Sequence, residues 1–241
     1  MRSVTSVKDD SDVRRPWPRV STANGSSLIA GAYAVALRAV GQDGGVDARW
    51  ECVFLARHGQ TEWNLQRRMQ GQFDSALTDV GVSRARHLAA VLRPHGVDAV
   101  FASPLGRAVA TARIIAAGLD LPVTVVDELS EVHHGRFAGL TVDDVRDRWP
   151  DEWNSRASQK YTWTFPGGES YADADVRAGH ALTRISGSAA RRPLVVSHEM
   201  IGRMLQRHLL GLSAPEALAC TQPNDVVYRI DPAAKVRQAV R

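Results

Sequence analysis

The chain has 241 residues, 44% of them hydrophobic, which supports one sizeable folded domain with an appendage and excludes a wholly disordered chain. Its net charge of +4 and pI of about 9.4 come from three lysines (Lys8, Lys160, Lys235) and twenty-seven scattered arginines with no basic run of five, so arginine-biased composition, not nucleic-acid binding, explains the charge. Cys52 and Cys220 lack a Cys-x-x-Cys spacing and read as free thiols of a reducing, cytoplasmic setting, and no stretch approaches the ~18 apolar residues that span a membrane.

Residues 1–50 read as an N-terminal extension, packed on the domain or partly disordered. Residues 1–27 are polar, and Pro16 and Pro18 break any helix beside Arg14-Arg15. Residues 28–40 are alanine-rich and could form a helix, but Arg38 interrupts them and they start too late for a signal peptide. Residues 42–47 look like a linker. From Glu51 onward, in the domain taken as 51–241, strands and helices alternate. Residues 52–56 form an apolar first strand. Thr78 is an N-cap, and Ala85, Leu88, Ala89 and Leu92 recur at helical spacing until 94–96 closes the helix. Residues 97–102 form strand two. Ser103-Pro104 predicts an N-cap and a first-turn proline for a helix with Ala108, Ala112 and Ile115 on its apolar face. Residues 122–126 form strand three. A helix is expected over 141–153, no clear period over 154–168, and a second long helix over about 170–187. Residues 194–197 form strand four, followed by helices over about 200–210 and 215–219 and a last strand over 225–230. This alternation predicts an α/β fold, a three-layer α/β/α sandwich around a mostly parallel sheet, with ligands at the carboxyl ends of the strands.

Chemistry-bearing residues gather at those strand ends. Arg57 and His58 close strand one, just before Gly59, where backbone can approach a ligand closely. An arginine beside a histidine there is costly for packing alone, whereas a phosphoryl group accounts for both: Arg57 forks onto its oxygens and His58 attacks its phosphorus. Arg107 lies about one turn into the helix after strand two, and its side chain tilts back toward the strand end. Glu131 follows strand three and His198 follows strand four, so segments far apart in sequence converge on one rim.

The run Arg57-His58-Gly59-Gln60-Thr61-Glu62-Trp63-Asn64 resembles the signature of the histidine phosphatase superfamily, the phosphoglycerate-mutase-like phosphatases of branch 1. Ser103–Ala112, the stretch Glu128-Leu129-Ser130-Glu131-Val132-His133-His134-Gly135, and Leu194-Val195-Val196-Ser197-His198 resemble its further motifs. The likeness covers about residues 51–230 and implies a phosphoglycerate-mutase-like fold. It implies that Arg57, Arg107, His198 and Asn64 hold the phosphoryl group, that His58 is the nucleophile, and that Glu131, rather than Glu128, is the general acid. Thr61, Gln70 and Gly71 echo the family's substrate-binding positions. The general acid must hold a proton near neutral pH, through burial or phosphate charge. His133 and His134 are either a loop pair or substrate contacts, and no third ligand is spaced to join them around a metal. The resemblance implies no cofactor and no metal. One departure stands out: a glycine usually follows the last histidine, and this chain has Glu199, a carboxylate that costs energy near phosphate unless it points away or pairs with a base.

The expected function is therefore hydrolysis of a small-molecule phosphomonoester through a phosphohistidine. The partners expected include neither nucleic acid nor membrane, and a homodimer stays open. Two alternatives compete: a cofactor-dependent phosphoglycerate mutase, and a non-catalytic module that binds a phospho-ligand. Only 67 residues separate Glu131 from His198, as in the family's smaller phosphatases, which favours hydrolysis. Trp149, Trp153, Tyr161, Trp163 and Phe165 form either a lid over an apolar leaving group or packing for an irregular loop.

Overall fold

The computed structural model describes residues 50–241. The extension expected over 1–50 lies outside the described residues except for Trp50. That side chain is buried among core residues and belongs with the domain.

The first strand, β1 (Val53–Arg57), organises the sheet. Its side chains alternate: Val53 and Leu55 enter one hydrophobic cluster, Phe54 and Ala56 the other. A strand covered on both faces must be apolar throughout, which is why 52–56 reads as an unbroken hydrophobic run. The remaining strands are β2 (Ala99–Ala102), β3 (Val123–Val125), β4 (Pro193–Ser197), β5 (Val227–Asp231) and β6 (Val236–Val240), in the order β3-β2-β4-β1-β5-β6. The first four positions in that order are mutually parallel, and β5 and β6 add an antiparallel edge.

The helices are α1 (Glu62–Leu65), α2 (Asp79–Leu92), α3 (Gly106–Leu119), α4 (Val142–Arg148), α5 (Pro150–Ser158), α6 (Tyr171–Ser186), α7 (Glu199–Leu210) and α8 (Ala214–Ala219). On one face of the sheet, α2 and α3 bury Ala85, Leu88, Leu92, Ala108, Ala112 and Ile115 against Phe54, Val100 and Leu194. On the other, α6 and α7 bury Ala178, Ala181, Ile185, Ile201, Met204 and Leu205 against Leu55, Phe101 and Val195. This is the expected three-layer α/β/α sandwich. None of these helices is long and apolar enough to cross a membrane.

Three elements differ from the sequence expectation. The helix expected over 141–153 is two, broken at Trp149 (φ −140°, ψ 61°), because Pro150 disfavours helical backbone in the residue before it. The second piece, α5, continues to Ser158, through residues without a clear period. The strand β6 was not expected: Val236–Val240 is mostly exposed at the sheet edge, so it lacks the apolar signal of a core strand. Finally, α3 starts at Gly106 with Leu105 at the N-cap, not Ser103, whose hydroxyl has other work.

Candidate active site

Sheet register explains why two histidines meet. In the parallel pair β1–β4, Arg57 lies opposite Ser197, and the His58 N–H donates to the Ser197 carbonyl at 3.0 Å. His58 and His198 therefore leave adjacent strands side by side, with ring centroids 5.2 Å apart and planes tilted by 55°. On the other side of β4 runs β2, and the residue following it, Ser103, donates its N–H to the Val196 carbonyl at 3.0 Å. Its hydroxyl lies 2.7 Å from His198 Nε2.

Each imidazole is buried and each has one nitrogen fixed. His58 Nδ1 lies 2.8 Å from the Gly59 carbonyl, which can only accept, so the ring hydrogen is on Nδ1 and Nε2 carries a bare lone pair. Burial, then the positive charges of Arg57 and Arg107, push the His58 pKa well below the usual histidine range. Burial likewise lowers His198, with Arg107, His58 and Arg57 adding to the effect. Ser103 Oγ accepts from the Leu105 N–H at 3.3 Å, and both its second lone pair and its own hydrogen suit His198 Nε2. When Ser103 donates, the hydrogen of the neutral His198 ring is on Nδ1, a buried atom with no hydrogen-bond partner among the described residues.

The two arginines are held from behind. Arg107 gives Nη1 to the Phe73 carbonyl (2.6 Å) and to Asp74 Oδ1 (3.3 Å), and Nη2 to the Gly71 carbonyl (2.8 Å). Arg57 gives Nη1 to Glu199 Oε2 at 2.7 Å. In both, the Nε–H is buried without a partner among the described residues. Arg156 Nε and Arg207 Nε, away from these strand ends, are in the same state, so it is the grouping of the Arg57 and Arg107 donors beside two histidines that suits an anion.

Glu131 is buried beside the histidine pair. Its Oε1 accepts from the backbone N–H groups of Val132 (3.0 Å) and Ile201 (3.3 Å), and Oε2 from that of Met200 (3.2 Å). The carboxyl group thus sits over the first turn of α7, the helix that begins after His198. The segment carrying it is tied down by Arg177 of α6, which donates to the carbonyls of Glu128 (2.9 Å) and Ser130 (2.5 Å) and pairs with Glu169 (2.6 Å).

The four positions expected to bind substrate form a linked arch. Thr61 is the N-cap of α1: its hydroxyl accepts from the Asn64 N–H (3.3 Å), and Asn64 Oδ1 accepts from the Thr61 N–H (3.0 Å). Gln70 Nε2 donates to the Thr61 hydroxyl at 2.8 Å, leaving Gln70 Oε1 buried and unpartnered among the described residues. Gly71 (φ +54°) turns the chain so that its carbonyl meets Arg107. Gly59 serves packing as well as any ligand: a Cβ there would come within 2.8 Å of the Gly81 carbonyl on α2. The Gly59 N–H also donates to Thr111 of α3 at 2.9 Å, locking the His58 loop to the Arg107 helix.

The aromatics of 149–165 pack on Phe137. Its ring lies 5.4 Å from Trp149, 6.1 Å from Trp163 and 6.1 Å from Phe165. The Arg156 guanidinium lies 4.8 Å from the Trp153 ring and donates to the Tyr171 hydroxyl at 2.7 Å. The geometry therefore favours packing over a free lid. His134 is half-buried, its ring packed on Phe165 (4.6 Å), whereas His133 is largely exposed and its Nδ1 accepts from the Gly135 N–H at 3.1 Å. Among the described residues, no group of three or more His, Cys, Asp or Glu side chains is placed to hold a metal ion.

Several of these supports escaped the sequence reading. Ser103 was read as a cap, and the serine that carries its hydroxyl to His198 is visible only once β2 and β4 are known to be neighbours. Asp74 and Arg177 look like ordinary surface charges. Their only signal is position, Asp74 just after Gln70-Gly71-Gln72 and Arg177 on the apolar face of its helix.

Comparison with known proteins agrees with this geometry. The sequence model of the histidine phosphatase superfamily (branch 1) matches residues 53–241. The probable phosphoglycerate mutase GpmB of Enterobacter sp. (strain 638) is 35% identical over 180 residues, 74% of this chain and 84% of that protein. Among solved structures, the putative alpha-ribazole-5'-P phosphatase of Escherichia coli K-12 superposes with a TM-score of 0.70 at 26% identity, covering 79% of this chain and 94% of that one. The mycobacterial glucosyl-3-phosphoglycerate phosphatase in complex with VO3 gives 0.66 at 27% identity, covering 74% and 90%. A parallel sheet that delivers paired histidines to one rim, and a family match that begins at the first residue of β1 and runs to the chain's last residue, have one reading: this chain belongs to branch 1 of the histidine phosphatase superfamily.

Proposed function

We propose that the protein hydrolyses a small phosphorylated metabolite through a phosphohistidine at His58. The observation that carries this reading is a neutral His58 with a bare Nε2, beside three site residues whose buried nitrogens, Arg57 Nε, Arg107 Nε and His198 Nδ1, have no partner among the described residues. Charge-assisted hydrogen bonds of this kind are each worth roughly 1.5–3 kcal/mol. Arg57, Arg107 and His198 grip the phosphoryl oxygens, with the Asn64 side-chain amide as a further donor. Nε2 attacks in line: the Nε2–P bond forms and the ester P–O bond breaks. Glu131 gives its proton to the departing alkoxide. Oε2 is the suited oxygen, since it accepts one backbone N–H against two at Oε1. Glu131 then takes a proton from water as that water's oxygen displaces Nε2 from phosphorus. Positioning and charge stabilisation supply most of the rate enhancement. Catalysis belongs to the domain from Trp50 onward, and deleting residues 1–49 leaves turnover intact on this reading.

The test is isotopic. Brief incubation with a labelled phosphodonor, followed by a quench, gives acid-labile, base-stable label on His58. No label under any trapping condition overturns the nucleophilic role. A mutase reading is favoured by one observation, the likeness to the 35%-identical GpmB, a probable phosphoglycerate mutase. The short span from Glu131 to His198 and the likeness to solved phosphatase structures favour hydrolysis. A steady rise of inorganic phosphate without a bisphosphate primer decides for hydrolysis.

A further inference from the structure

Glu199, the residue that departs from the family's usual glycine, is not directed away from the site. Its Oε2 accepts from Arg57 Nη1 at 2.7 Å. Its Oε1 accepts from Arg203 Nε (2.9 Å) and Nη2 (2.6 Å) and from the Gln222 N–H (3.3 Å). Arg203 is anchored in turn, giving Nη1 to the Leu218 carbonyl at 2.7 Å. The carboxylate thus has four donors and little freedom, and the Arg57 and Glu199 side chains are each less than a quarter exposed.

A guanidinium presents two forked edges. With Nη1 engaged, the edge made by Nε–H and Nη2–H remains, and on Arg57 the Nε–H is buried without a partner among the described residues. We infer that Glu199 is a positioning residue, braced by Arg203, that holds Arg57 by its Nη1 edge so that the Nε–Nη2 edge faces the phosphoryl group. This rests on the phosphoryl-binding reading above. The alternative is that Glu199 competes with phosphate for Arg57. Against competition stands the placement of charge: Arg203 offsets the carboxylate, so Arg57, Glu199 and Arg203 together carry one net positive charge, as Arg57 alone would.

The two roles predict opposite effects on affinity for inorganic phosphate, measured by calorimetry on the full chain together with kcat and KM. If Glu199 orients Arg57, E199A weakens phosphate binding and lowers kcat/KM by about tenfold, the scale of a contact misplaced rather than removed. E199Q, which keeps an acceptor, loses less. E199A/R203A, in which net charge is unchanged, stays as weak as E199A. On an R57A background, E199A changes phosphate affinity less than about twofold, since it acts through Arg57. Phosphate binding that is unchanged or tighter in E199A and E199Q overturns the inference while leaving hydrolysis intact. So does an undiminished loss on the R57A background. Thermal unfolding of each variant identifies any that fails to fold, and E199Q then carries the test. A wild-type protein that neither binds inorganic phosphate nor turns over phosphoesters removes the phosphatase reading, and with it this inference.

Discussion

The rim at the ends of β1, β2 and β4 is buried and the aromatic cluster around Phe137 partly so, and they are built on different terms. The aromatic cluster closes mostly on itself. Its rings face one another, its arginines lie over rings, and Arg136 pairs with Glu152. At the rim, Arg57, Arg107 and His198 each retain a buried nitrogen with no partner among the described residues, and in the cluster Arg156 and His134 each retain one. Unsatisfied buried donors cost stability. In the cluster these groups lie over or against rings, whereas at the rim they gather beside a second histidine, an arrangement that suits an anion; the cluster meets the Glu131–His134 segment through His134 on Phe165.

The comparison is sharpest at His58. H58A should reduce turnover by at least about 10⁴-fold, the order seen when a nucleophile is removed, with thermal stability close to wild type. An H58A enzyme with more than a tenth of wild-type activity would place the chemistry elsewhere. E131Q comes next, with a loss of about 10²–10³-fold on alkyl phosphates, within the usual range for general acid catalysis. That loss should shrink severalfold on an aryl phosphate whose leaving group needs no proton. An equal loss on both substrates would make Glu131 a structural cap of α7, consistent with its three backbone hydrogen bonds, and not the acid.

The aromatic cluster should answer in the other currency. Phe137 is fully buried and contacts four rings. F137A should cost about 3–5 kcal/mol of stability, as large-to-small core changes do, read from denaturant unfolding. In the fraction still folded, kcat should fall less than about tenfold, since the change lies away from the reacting atoms. A collapse of kcat with little loss of stability would turn the cluster into a working part of the site.

How far these features could be read in the residues depends on the range of the interaction. The strand β1 was legible because burial on both faces imposes one unbroken apolar run, and the Thr78 cap because capping is local; the caps at Thr141 and Ser170 are local too but were not read. The convergence of His58 with His198 was legible as a rule about strand ends, but their 5.2 Å spacing depends on β4, not β2, lying beside β1. Such strand order leaves no mark at either residue. The hydroxyl of Ser103 and the carboxylate of Asp74 act on partners far along the chain for the same reason. Glu199 was legible in part: a carboxylate there had either to point away or to pair with a base, but neither partner was named, Arg203 one helical turn on or Arg57 142 positions away. The break at Trp149 did have a local signal in Pro150.

The smallest effect joins the two regions through pH. His58 and His198 at the rim and His134 at the cluster are all held below the usual histidine range, chiefly by burial, His134 at about 4. In the unfolded chain each takes a proton near pH 6.5. Below that pH the unfolded state binds more protons than the folded one, so stability must fall as pH drops; above it these groups impose no slope. For His134 the window runs from about 6.5 down to about 4. One such group removes about 1.6 kcal/mol between pH 6.5 and 5, the slope rising from half of roughly 1.4 kcal/mol per pH unit at the start to nearly all of it at the end. Denaturant unfolding of H134Q should show that much less loss over the interval than wild type, whatever its stability at pH 7.5. The H198N variant should flatten the curve in the same sense. Parallel curves for H134Q and wild type would mean that His134 takes its proton in the folded state, and that the cluster opens to water where it meets the rim.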